Sequence, residues 1–175
     1  QIPWGTPPIS DEQAKMLMVD LLLSGEDDAT LARLLLHYGA DPNFRDADGT
    51  SLLIVAIGHN EKAIIQALLQ AGAEVNLRGP DGVTPLQVAV AMRDPPVELD
   101  VLRILLAAGA SVYSESPELK APIIFALEGD TTAVNEIVMR HTLTKATPAP
   151  PAELRAAIER RLHNTSGPVR RSLQF

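Results

Sequence analysis

Leu68-Leu69-Gln70-Ala71-Gly72-Ala73-Glu74-Val75-Asn76 is one of three versions of the same stretch in this chain. It is preceded by Leu35-Leu36-His37-Tyr38-Gly39-Ala40-Asp41-Pro42-Asn43 and followed by Leu105-Leu106-Ala107-Ala108-Gly109-Ala110-Ser111-Val112-Tyr113, so its glycines stand 33 and then 37 residues apart. A fixed period of this size marks a stack of similar units and decides the fold before any single element is considered. A second register agrees: Asp48-Gly49 returns as Asp81-Gly82, and Thr84-Pro85-Leu86-Gln87-Val88-Ala89 returns as Ala121-Pro122-Ile123-Ile124-Phe125-Ala126. The four additional residues of the third unit fall around Arg93-Asp94-Pro95-Pro96-Val97, between two helical patterns, where they lengthen a loop and spare the packing faces.

Each unit has a physical reading. The Asp-Gly pair supplies the positive φ of a tight turn. A proline just after it suits the first turn of a helix, where its missing N–H costs nothing. Short helices are therefore expected to begin at Ser51, Thr84 and Ala121. A second helix follows in each unit, with aliphatics three and four apart: Ile64, Ile65, Leu68 and Leu69, then Val101, Leu102, Leu105 and Leu106. Gly39, Gly72 and Gly109 are placed to end the second helices in the left-handed conformation.

This pattern resembles the ankyrin repeat, whose Thr-Pro-Leu-His-x-Ala and Leu-Leu-x-x-Gly-Ala-x-x-Asn signatures match Thr84 to Ala89 and Leu68 to Asn76. The resemblance covers about residues 28 to 141 and implies an all-α solenoid of about four helix pairs. The expected divisions are an N-terminal cap pair at about 11–38, repeats at about 43–72, 76–109 and 113–141, a Pro-rich linker at 144–150, an amphipathic C-terminal helix at 151–163 and a basic tail at 164–175. The sequence departs from the family at its histidine, replaced by Ile54, Gln87 and Ile124, and at its first proline, replaced by Leu52. The usual hydrogen-bond ladder between units is therefore not assumed, and Leu119 in place of Gly predicts a distorted hairpin at 115–120.

Composition sets the bounds on function. The 175 residues suffice for one domain or a short array, and 46% hydrophobic with only 3% aromatic residues points to helices packed by aliphatic contacts. The absence of cysteine removes disulfides, thiolate zinc sites and thiol nucleophiles. No apolar run approaches a membrane span, and QIPWGTPPIS has neither the basic start nor the apolar centre of a secretion signal. No membrane insertion and an intracellular location, cytoplasmic or nuclear, are expected. The first residue, Gln1, leads us to expect a piece of a longer chain.

No enzyme, cofactor or metal site is expected. His37, His59, His141 and His163 have no metal-ligand spacing, and no nucleophile turn accompanies any Ser. Glu26-Asp27-Asp28 suits a helix N-terminus, and Gly79-Pro80-Asp81-Gly82 reads as a turn tip instead of a phosphate cradle. What remains is a surface. The resemblance implies a concave face of turn tips and first helices that grips a peptide segment or protein domain, as a scaffold or adaptor would. The positions of this sequence that fall there include Arg45, Asp48, Thr50 and His59 in one unit, Arg78, Asp81, Val83 and Met92 in the next, and Glu118, Lys120 and Glu128 in the third. His59 and Met92 suit an adaptable contact, although both types also serve as ordinary rim and packing residues.

Net charge is −7 overall, but residues 1–143 carry −11 and residues 144–175 carry +4. Leu154, Ala157, Ile158 and Leu162 form a narrow apolar stripe, which is expected either to dock on the last repeat or to serve as a basic partner-binding arm. Nucleic-acid contact through the tail is an alternative function, weakened by sparse arginines and few aromatics. An architectural or self-associating role within a larger protein is another, while the stack itself is expected to be monomeric. Trp4, outside the repeats, is expected to cover an apolar edge of the first pair.

Overall fold

The computed structural model describes residues 10–24, 29–92, 97–113, 120–128 and 133–165. Among them are nine α-helices: α1 (Asp11–Ser24), α2 (Ala29–His37), α3 (Leu52–Gly58), α4 (Lys62–Gln70), α5 (Pro85–Ala91), α6 (Leu99–Ala107), α7 (Pro122–Glu128), α8 (Ala133–Lys145) and α9 (Ala152–Thr165). The first eight form four pairs in sequence order, with first helices packed on first helices and second on second: α3 on α5 and α5 on α7, α2 on α4, α4 on α6 and α6 on α8.

Local chemistry sets the helix ends. Ser51 caps α3 by accepting the Ile54 N–H at 3.4 Å. Thr84 and Gln87 cap α5 reciprocally, the Thr84 hydroxyl accepting the Gln87 N–H and the Gln87 side-chain carbonyl accepting the Thr84 N–H at 2.8 Å. At the other end, Gly72 sits at φ +94°, its N–H donating to Leu69 O and the Ala73 N–H to Leu68 O. This satisfies carbonyls that a helix terminus otherwise leaves unpaired. Gly39 and Gly109 repeat both bonds at φ +100° and +91°. α3 ends on Asn60 at φ +59°, a conformation that Asn tolerates better than most residues with a Cβ.

The core runs the length of the stack. Leu53, Ile57, Ile64, Ile65 and Leu68 are fully buried in the second pair, and Leu86, Val101, Leu102 and Leu105 in the third. Each such side chain contributes roughly 1.5–3 kcal/mol over its exposed state, which offsets the ordering of helices too short to hold alone.

The region expected to be a linker differs from expectation. Thr144 and Lys145 belong to α8, Pro150 is buried, and the Tyr113 hydroxyl donates to Pro148 O at 2.9 Å. α9 lies against α7 and α8, with Ile158 fully buried and Leu154 and Leu162 packed on the core. The hairpin expected to be distorted at 115–120 lies outside the described residues, Lys120 excepted, as do the basic residues beyond 165 and Trp4.

Candidate functional site

The turn tips of the second and third units are built alike although their sequences differ. In the first of them, the Asp46 N–H donates to Thr50 O at 2.9 Å, and the Asp46 carboxylate accepts the N–H groups of Asp48 and Thr50. In the second, Gly79 replaces Asp46 and its N–H donates to Val83 O at 2.8 Å. Arg45 braces its tip by donating from Nη1 to Gly49 O at 2.7 Å, and Arg78 does the same to Gly82 O at 3.3 Å. Both arginines therefore shape the tips in addition to lining them.

Adjacent units are tied together by side-chain amides. The Asn43 carbonyl accepts the Glu74 N–H at 2.7 Å, and one repeat later the Asn76 carbonyl accepts the Ser111 N–H at 2.8 Å. Asn76 also donates to Gly109 O at 3.1 Å, and Asn60 accepts the Glu98 N–H at 3.0 Å. On the first helices Gln87 Nε2 donates to Lys120 O at 2.9 Å. A ladder is present after all. It survives loss of the family's histidine because a glutamine amide both accepts and donates. In the preceding unit Ile54 stands at the same position, and an apolar contact replaces the bond: a Cβ on Gly79 would lie only 2.8 Å from Ile54 Cδ1.

The ladder sets equivalent positions of successive units in rows. Arg45 and Arg78 occupy one row, Asp48 and Asp81 a second, Thr50 and Val83 a third, and His59 and Met92 a fourth, each 33 residues apart. Arg45, Asp48 and His59 are exposed, while Thr50, Arg78, Val83 and Met92 are half-buried. His59 and Met92 both sit at the C-terminal caps of first helices, α3 and α5. Asp81 lies in a short 3₁₀ turn, Pro80–Gly82, and Glu118 lies outside the described residues. Lys120, in the fourth unit, is exposed and pairs with Glu128 at 2.6 Å.

Two features were not anticipated from the sequence. On the second helices Asp100 bridges Lys62 and Arg103 at 3.3 and 3.0 Å, and its hydrogen bonds to Lys62 and then Arg103 hold its carboxyl below the usual range. Between the turn after α6 and the end of α8 lies a groove of about 550 Å³ lined by Asn76, Ser111, His141 and Lys145. Partial burial, with the nearby Lys145 charge, lowers the His141 pKa and favours its neutral form. Neither was legible because each brings together residues from elements far apart in sequence. Among the described residues no group of three or more His, Asp or Glu side chains is placed to hold a metal, and no helix is long and apolar enough to cross a membrane.

The comparisons agree with this geometry. The model of ankyrin repeats in three copies matches residues 17–116, more than half of the chain. A putative ankyrin repeat-containing protein of Treponema pallidum (strain Nichols) is 40% identical over 53 residues. That alignment covers 30% of this chain and only 17% of the relative, so the chain spans a small part of that protein's length. With helix pairs, glycine-ended second helices and matched repeats in the same register, the chain belongs to the ankyrin-repeat family, whose repeats are generally non-enzymatic modules of protein–protein interaction.

Proposed function

We propose that this chain binds a peptide segment or a domain of another protein across the face formed by the turn tips and the ends of the first helices. The supporting observation is the set of rows, which presents Arg45 with Arg78 and His59 with Met92 at successive units of a hydrogen-bonded stack. A preorganised row limits the ordering cost of association to the partner. Its chemistry is mixed: guanidinium groups at the tips, an imidazole and a thioether further in, and an ion pair between Lys120 and Glu128. Such a surface suits a partner that offers both carboxylates and an aliphatic or aromatic anchor. The role is that of an intracellular scaffold or adaptor.

Site-specific photo-crosslinking tests this assignment of the face. A benzophenone side chain at His59 or Met92 is expected to crosslink the bound protein, whereas one at Arg103, exposed on α6, is expected not to. Crosslinks confined to Arg103 would place recognition on the second helices and overturn the assignment.

A further inference from the structure

α8 runs on where the other second helices stop. α2, α4 and α6 have nine residues each and are followed two residues later by Gly39, Gly72 and Gly109, whereas α8 has 13 residues and ends on Lys145 with Ala146 after it. Without a glycine to reverse the chain, its last turn stands beside the turn after α6, and the groove of about 550 Å³ lies between them. The rung next to this groove is also remade. Tyr113 occupies the place of Asn43 and Asn76, and its hydroxyl donates to Pro148 O at 2.9 Å instead of accepting a backbone N–H.

The chemistry of the groove differs from that of the chain around it. Among the described residues, none that lines it is acidic, although the chain carries 22 acids against 15 bases. His141 and Lys145 stand four apart on α8 and so share a face, and Thr147 adds a hydroxyl to the same lining. Among the described residues these three side chains make no hydrogen bond or ion pair, which leaves their donors open to a ligand. The carbonyls that would repel an anion at two helix C-termini are already engaged. Gly109 O accepts Asn76 Nδ2 at 3.1 Å, Leu105 O and Leu106 O accept the N–H groups of Ala110 and Gly109, and the Thr144 hydroxyl donates to Arg140 O at 2.9 Å.

We propose that this groove binds a small phosphate monoester, its phosphoryl oxygens on Lys145, His141 and Thr147 and its organic part along Ala107 and Gly109. An ammonium, an imidazole N–H and a hydroxyl are three separately mounted donors, which match three phosphoryl oxygens better than the two of a planar carboxylate. Lysine suits this role as a mobile point charge. The volume lies within the range of about 300–1,000 Å³ of small-ligand pockets and far exceeds a phosphate ion, so there is room for the ester's organic part. The chain's net charge of −7 opposes an anion only weakly here, because charges farther than about 8 Å are screened at physiological ionic strength. The site is built from second helices and the turns after them, so it is separate from the face of turn tips and first-helix ends.

NMR of the full chain reads the site through its histidine rings, with glycerol phosphate added at constant pH and ionic strength. Saturable shifts are expected at His141, with His37, His59 and His163 unmoved, and glycerol alone should shift nothing. Lys145 is exposed, so Lys145→Gln should leave the thermal melt unchanged. It should weaken binding about fivefold, as loss of an exposed charge pair does, and Lys145→Arg should restore most of the affinity. A His141 ring that does not move, equal movement of all four histidines, or undiminished affinity in Lys145→Gln would overturn the proposal. So would acetate or inorganic phosphate binding as tightly as glycerol phosphate, the first making the groove a carboxylate site and the second a site for the bare ion.

Discussion

At residue 72 the backbone takes φ +94°, and a Cβ there would meet nothing within 4 Å, so the requirement for glycine is conformational and not spatial. Gly72→Val is expected to destabilise the stack by more than about 1 kcal/mol, because a β-branched residue is strained at positive φ. A thermal melt indistinguishable from the parent would show that the second unit does not end there. Gln87 is a different case, since its amide serves both the cap of α5 and the bond to Lys120 O. Gln87→Ala leaves the Thr84 N–H and Lys120 O without these bonds and is expected to cost about 1–3 kcal/mol by urea unfolding. An unchanged unfolding midpoint for Gln87→Ala would show that neither half of this double role contributes. These residues also mark the limit of sequence reading. Glycine ends were legible because left-handed backbone is a local demand, but the ladder was not expected, since replacing the family's histidine hides that Gln87, Asn43 and Asn76 carry equivalent bonds.

At the scale of the element, α9 presents a divided chemistry. Its apolar stripe holds Ile158 fully buried, while Arg155 and Glu159 stay exposed and pair weakly at 3.8 Å. Burying Leu154, Ile158 and Leu162 stabilises by roughly 1.5–3 kcal/mol each before an ordering cost of comparable size. We therefore expect Leu154→Asp with Ile158→Asp to undock the helix, lower the melting temperature and promote self-association, as apolar surface of α7 and α8 becomes accessible. Calorimetry and analytical ultracentrifugation read the two effects, and an unchanged melt with a monomeric mass would make α9 an arm and not a cap. The amphipathic helix was legible from its spacing. The packing of residues 146–150 was not, because prolines read locally as a linker while the Tyr113 hydroxyl that fastens Pro148 comes from 35 residues away.

At the scale of the whole molecule, the repeat period dictated the fold more securely than any single helix did. Two registers, one at the glycines and one at the turn tips, shift together by 33 and then 37 residues, so an insertion between helices leaves the stacking surfaces aligned. The candidate face was legible only in outline. Periodicity and the family resemblance indicated which positions fall on it, but not that Arg45 and Arg78 also hold the tips together or that Lys120 is paired with Glu128. Protein recognition by that face is the central claim. It is tested most directly by comparing the proteins captured from the source cells by the parent chain and by the variant carrying Arg45→Ala, His59→Ala, Arg78→Ala and Met92→Ala, with both melts recorded. The His59 and Met92 changes are expected to alter stability by about 0.5 kcal/mol or less each, while the arginine changes also remove the bonds to Gly49 O and Gly82 O; the variant is expected to stay folded at the assay temperature, which its melt checks, and to lose its specific partner. Undiminished capture by the folded variant would contradict the account.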